Sequence, residues 1–222
     1  MIKKRKDLFQ VSKNNKENCY HRITATLLNQ WQRIFDVEEE VFENENDTMC
    51  WEDKVEEERE KRLKEFLDVL ERKPIPDNEY MKQGREFEDF VCQGLDEEFS
   101  PKVKNGAFQV TVTKNVEIDG EKICLYGILD VLKKGRIMDI KRIAKKYRYP
   151  KYKKSHQHPM YLELVPEAID FTYLIFDGKN YHYENYIREN CENILETIKV
   201  FLQWLKANDY INIYYENWKM KK

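Results

Sequence analysis

Asp130, Asp139 and Lys141 are the residues of this chain whose types and spacing can do chemistry. Asp139-Ile140-Lys141 reads as part of a strand, so the aspartate and the lysine leave the same face while Ile140 turns into packing. Asp130 lies near the end of the preceding strand. Folding back through Lys133-Lys134-Gly135-Arg136 brings the two carboxylates close enough to share a cation. Two hard oxygen ligands, with water and phosphate oxygens completing the shell, suit Mg²⁺ or Mn²⁺. Such an ion polarises a phosphate, acidifies a bound water and stabilises the leaving oxygen, and Lys141 beside it orients the nucleophile or offsets developing charge. With Gln157 and Tyr161 one short segment downstream, the set suits metal-dependent cleavage of a phosphodiester. The same acid-x-lysine spacing also serves a cross-strand salt bridge on a solvated sheet face, so the pair alone does not decide.

A second local signal adjoins the first. Arg142, Lys145, Lys146, Arg148, Lys151, Lys153 and Lys154 are interleaved with Tyr147, Tyr149 and Tyr152. Cations neutralise phosphates and tyrosines stack on unpaired bases, so this stretch is the expected DNA-facing edge, the bland alternative being a solvated loop that happens to be basic. His156 and His158 flank Gln157; such residues more often cap or pack than catalyse.

Several elements must position these groups. Residues 22–36 carry Leu27, Leu28, Trp31, Ile34 and Phe35 at helical spacing, with Thr24 or Thr26 as the cap. An acidic loop is expected over 37–50. A charged helix follows over 51–72, read as a solvated amphipathic brace with Leu63, Phe66, Leu67 and Leu70 on one side. Lys73-Pro74-Ile75-Pro76 breaks the chain, and a helix over 79–95 turns Phe87, Phe90, Val91 and Leu95 inward. The period then becomes two. Strands over 107–117, 121–133 and 136–142 are separated by Asp119-Gly120 and Lys134-Gly135, both hairpin signals. A helix over 155–165, strands over 169–176 and 180–187, a helix over 188–207 and an aromatic tail from Tyr210 to Trp218 complete the order. The tail is expected to supply core or oligomer contacts. The sum is α/β, with a central mixed sheet begun by an antiparallel three-strand meander and flanked by helices. Residues 1–76 are expected as an N-terminal helical region packing on a core formed by 77–222.

Charged residues make up 36% of the 222, yet the net charge is only −2, so any nucleic-acid surface must be local. Five cysteines without a C-x-x-C pair argue for reduced thiols in a cytoplasmic protein. No apolar run approaches the ~20 residues of a membrane helix, and no apolar stretch follows the basic Met1–Lys6, so no membrane partner is expected.

Taken in order, Gly84-x-x-x-Glu88, Gly127-x-x-Asp130, Asp139-x-Lys141 and Gln157-x-x-x-Tyr161 resemble the PD-(D/E)XK nuclease superfamily, most closely its RecB-like branch, which includes lambda-type exonucleases. The likeness spans roughly residues 22–187. It implies a restriction-endonuclease-like core and a divalent-metal-dependent DNA nuclease, an exonuclease of DNA repair, recombination or phage DNA processing. It implies that Glu88, Asp130 and Asp139 bind Mg²⁺ or Mn²⁺, with Glu86 as the alternative helix ligand. It further implies that Lys141 is catalytic and that Gln157 and Tyr161 contact DNA or steady the site. Asp139 stands where glutamate is more usual, a ligand shorter by one methylene. Cluster-bearing CRISPR-associated members place three cysteines near their C-terminus; here only Cys191 lies beyond Tyr161, so no iron–sulfur cluster is expected. DNA is the expected partner, together with a second copy of the chain or a recombination or annealing protein. The alternative reading is a DNA-binding partner that keeps the nuclease fold with little activity.

Overall fold

The computed structural model describes residues 21–37 and 51–220. The basic residues 1–6, Cys19, Cys50 and the expected loop from 38 onward lie outside them. Five strands line up in the order β1 (His21–Ile23), β3 (Glu121–Lys133), β4 (Arg136–Arg142), β5 (Asp170–Phe176) and β6 (Tyr181–Ile187), and β2 (Ala107–Ile118) pairs with the other edge of β3. The meander β2–β3–β4 is antiparallel as expected. β4 and β5 run parallel, which requires a crossover. The basic loop and helix α5 (Gln157–Leu164) supply it.

Helices cover the sheet. Helix α1 (Ala25–Arg33) starts at Thr24, whose hydroxyl accepts from Leu27 N at 3.3 Å, resolving the choice between Thr24 and Thr26. Residues 21–23, partly assigned to that helix from sequence, are instead a strand held parallel to β3. Helix α2 (Trp51–Leu70) is more than a solvated brace. Phe66 and Leu70 are fully buried in the main core, worth about 1.5–3 kcal/mol each. Arg62 is buried beside Glu58 and donates to Arg33 O. Helix α3 (Glu79–Cys92) buries Phe87 and Val91, but Phe90 and Leu95 are exposed, because the helix ends at Cys92 and its inward stripe is narrower than the apolar pattern. A single short turn, α4 (Ser100–Val103), was not anticipated. The helix expected from 188 begins only at Ile194, as α6 (Ile194–Ala207), where Asn193 caps it. The tail folds as α7 (Ile211–Asn217) and buries Tyr214 and Trp218 in the core. Trp218 Nε1 donates to Leu70 O, Arg22 N donates to Trp218 O at 2.8 Å, and Tyr214 hydroxyl reaches Arg22 O. No described helix is long and apolar enough to cross a membrane.

One irregularity matters for the site. Val110 and Val112 of β2 face the main core, yet beyond Gln109 that role passes to Ala107, of the opposite parity. In β3, Ile123, Leu125 and Leu129 face it, then Leu132, while Val131 joins a smaller cluster with Phe87, Val91, Met138 and Ile140. Both strands switch sides at one rung. The register places Gln109 opposite Asp130 there, and Gln109 has φ +51°. A left-handed residue costs roughly 1–2 kcal/mol, and it turns both strands over where the acid sits.

Candidate active site

β3 and β4 are laddered only from Val131–Met138 to Lys133–Arg136. Past that point the strands part, and Asp130 stands in the opening. Its Oδ2 accepts from Ile140 N at 3.0 Å, substituting for a ladder bond. The packing of Ile140 on the Phe87–Val91 side anchors β4 against α3. Asp139 and Lys141 therefore turn to the opposite side. Asp139 is 1% exposed; its Oδ1 accepts from Gln157 Nε2 at 2.5 Å, and its Oδ2 lies 2.6 Å from Lys141 Nζ.

Gln157 reaches Asp139 because α5 lies flat on β3, and Gly127 permits this. A Cβ there would stand 2.7 Å from the Tyr161 ring and 2.9 Å from Leu164. Tyr161 hydroxyl donates to Ile128 O at 3.0 Å, pinning the helix to the strand. Burial, then the Asp139 charge, pushes the phenol up to about 12, so it remains a donor. Tyr161 thus acts as a strut under Gln157, with its hydroxyl already engaged.

From α3, Glu88 is half-buried and accepts a hydrogen bond from Gln109 Nε2. Burial, then the nearby Asp139 charge, raises its pKa. Glu86 has a 64% exposed side chain that faces Lys82 at 3.9 Å, away from the site. Asp130 is pushed well above the usual carboxylate range by burial and then by Asp139, with Lys141 opposing. For Lys141, burial works against the charge, but Asp139 and Asp130 outweigh it and hold the ammonium firmly protonated. Three carboxylates crowd one lysine, and part of that crowding is relieved by the raised proton affinity of Asp130 and Glu88.

Among the described residues, no three acidic, histidine or cysteine side chains are gathered as a ready metal cage. The candidate ligands are engaged elsewhere: Asp139 by Gln157 and Lys141, Asp130 by Ile140 N–H, Glu88 by Gln109. The donor chemistry still fits a hard divalent cation. All candidate ligand atoms are carboxylate oxygens, the hard donors that such an ion prefers.

The seven basic residues of 142–154 are all exposed. Arg142 donates to Gln83 on α3 at 2.9 Å, and Lys154 pairs with Asp36 at 3.6 Å. The loop is fastened by Glu184 of β6, a residue sequence reasoning missed. Its carboxylate, 2% exposed, accepts from Tyr147 hydroxyl and Lys151 N on Oε1 and from Tyr152 N and Tyr186 hydroxyl on Oε2. Tyr152 stacks on Tyr173 with centroids 4.4 Å apart. Tyr147 and Tyr152 therefore hold the loop, while Tyr149 is exposed. His158 stacks on Tyr186 at 3.8 Å and is pushed down to about 4 by burial. His156 is also buried. Both pack. Gln109 was missed too, since a glutamine inside an alternating strand carries no signal of its partner.

No protein-family model matches the sequence, and no curated protein matches it. A solved structure described as SSO0001 aligns over 82% of this chain and 77% of its own, with a TM-score of 0.50 and 14% identity, a likeness of fold alone. A structure named "Putative exonuclease" from Eubacterium rectale aligns over 94% and 88%, with a TM-score of 0.41 and 13% identity, too loose to carry an argument.

Proposed function

We propose that this chain is a divalent-metal-dependent DNA nuclease of the RecB-like PD-(D/E)XK type, acting as an exonuclease in the cytoplasm. The observation that carries the reading is the meeting of Asp130, Asp139 and Lys141 where β3 and β4 part, with Glu88 brought alongside by α3. Asp130, Asp139 and Glu88 would hold Mg²⁺ or Mn²⁺, whose chemistry there is to polarise the phosphate and acidify a bound water. Lys141, held protonated by its two acidic neighbours, places a donor where phosphate charge grows. Gln157 fixes the Asp139 carboxylate, Tyr161 fixes the helix that carries Gln157, and Glu184 presents the basic loop to the DNA backbone. Setting, whether repair, recombination or phage DNA processing, and assembly with a second copy or an annealing protein belong to the same proposal.

One observation favours a second reading, a DNA-binding partner with little activity: both Asp139 oxygens are occupied and the side chain is buried. The test is digestion of linear duplex, closed circular duplex and single-stranded DNA with Mg²⁺, Mn²⁺ or EDTA, alongside Lys141→Ala and Asp130→Ala. Metal-dependent loss of linear DNA only, abolished in both variants, is the expected result. Cutting of closed circles would make it an endonuclease at the same site. Binding without cleavage would establish the second reading.

A further inference from the structure

Away from the carboxylates, two arginines share one aromatic ring. Arg22 Cζ lies 4.7 Å from the Tyr126 ring centroid and 5.7 Å from that of Trp218, and Arg72 Cζ lies 5.3 Å from Trp218. Among the described residues no carboxylate ion-pairs with either guanidinium, although 36% of the chain is charged. Burial of Arg22, and then the Arg72 charge, make its charged form harder to hold. Packing around Trp218 needs only one arginine, since cation–π contact offsets desolvation but not repulsion between two like charges. An anion between them would turn that repulsion into attraction, and a guanidinium's fork of donors matches a phosphate.

This pair sits at the end of an open surface that leads to the acids. Arg22 pairs with Cys124 in the register, beside Tyr126. From there the Thr113–Tyr126 and Thr111–Ile128 rungs run to Gln109 and Asp130. Ile128 and Thr111 are exposed, whereas the neighbouring β4 surface is covered by α3. Tyr126 and Asp130 are four residues apart, ~13 Å at ~3.3 Å per residue, or about four nucleotides of a duplex strand at ~3.4 Å each.

The geometry points to Arg22 and Arg72 as a backbone-phosphate clamp for the nucleic-acid strand whose scissile bond lies at Asp130 and Asp139. The inference rests on the nuclease reading and adds a binding site remote from the basic loop. It predicts that the strand crosses the bare β2–β3 face, with Ile128 beneath it.

Duplex binding is measured by fluorescence anisotropy in EDTA over a range of salt, with Arg22→Gln, Arg72→Gln, the double variant and the corresponding lysine variants. Each glutamine substitution lowers the slope of log affinity against log salt by about 0.9, and lysine restores it. Slopes equal to wild type in folded glutamine variants would overturn the clamp. Should those variants unfold, arginine modification by phenylglyoxal on the wild-type protein, mapped by mass spectrometry, decides the matter. Several-fold protection of both arginines by the oligonucleotide supports the clamp, and equal modification with and without it overturns it. A Lys151/Lys153/Lys154→Ala variant separates the two levels. If its slope falls while the arginine variants match wild type, the clamp fails and the nuclease reading stands. A wild-type protein that binds no DNA overturns both.

Discussion

Glu184→Gln removes one charge and leaves shape intact, yet the structure predicts that it unfastens the basic loop. Each carboxylate oxygen receives a backbone N–H, Lys151 N at 2.7 Å and Tyr152 N at 3.0 Å. A peptide N–H can only donate. A glutamine has one accepting oxygen, so whichever way its amide turns, its NH₂ faces a donor. One buried N–H loses its partner, and the hydrogen bonds that remain lose their charge assistance. A bond to a charged acceptor is worth about 1.5–3 kcal/mol and an orphaned buried donor costs about 1–3 kcal/mol. With partial relaxation the substitution costs about 2–4 kcal/mol, a roughly 30- to 1,000-fold rise in the open population of the loop, at 1.36 kcal/mol per factor of ten. Two assays read it. Hydrogen exchange at the Lys151 and Tyr152 amides accelerates by that factor, and trypsin cleaves between Lys145 and Lys154 correspondingly faster. Duplex affinity falls with it, because seven exposed cations are no longer held in one array. Exchange within twofold of wild type at both amides would refute the reasoning.

Three further predictions follow from the geometry. Gly127→Ala removes no chemistry, but its methyl meets the Tyr161 ring at 2.7 Å, so α5 lifts and Gln157 leaves Asp139; stability falls by about 1–3 kcal/mol in urea titration and nuclease rate falls more than substrate affinity. Glu88→Ala raises the Mg²⁺ concentration needed for half-maximal cleavage while Glu86→Ala leaves it unchanged, a comparison that fails if both behave alike. His158 is pushed down to about 4 from 6.5, so between those pH values the unfolded chain binds a proton that the folded chain refuses. Stability is full above pH 6.5 and declines by up to about 3 kcal/mol as pH falls toward 4, and the decline is smaller in His158→Phe when the two melting curves are compared.

Where local rules govern, the sequence was a good guide. Asp119-Gly120 and Lys134-Gly135 marked both hairpins of the meander, and the alternation through Asp139-Ile140-Lys141 placed Ile140 in packing and the two charged groups on the other side. Of the two helix candidates, Glu88 lies within reach of the Asp139 charge and Glu86 is exposed beside Lys82. What stayed hidden depends on partners distant in the chain. Residues 21–23 are a strand only because β3 accepts them, and their neighbours alone read as the lead-in to a helix. Phe90 and Leu95 fit an apolar stripe but are exposed, with no covering element among the described residues. Glu184 occupies the one buried position of β6, where the pattern offers no clue that a loop thirty residues earlier will fill its oxygens. Gln109 is left-handed where two strands change sides together, a feature that no neighbour in the sequence announces.

The seam between β1 and the last helix also constrains the order of events during synthesis. Tyr214 hydroxyl and Arg22 O, which it contacts, are 192 residues apart, and Trp218 O receives Arg22 N. A ribosome emitting residues in sequence releases His21–Ile23 long before β3, and longer still before Trp218, so this strand waits as an unpaired edge while the sheet's centre assembles. Such distant closure is slow, and until it happens the strand is open to pairing with another chain. Deleting the residues from Tyr214 onward should therefore act at the opposite end of the sequence, stripping β1 of its second support and leaving it held by β3 alone.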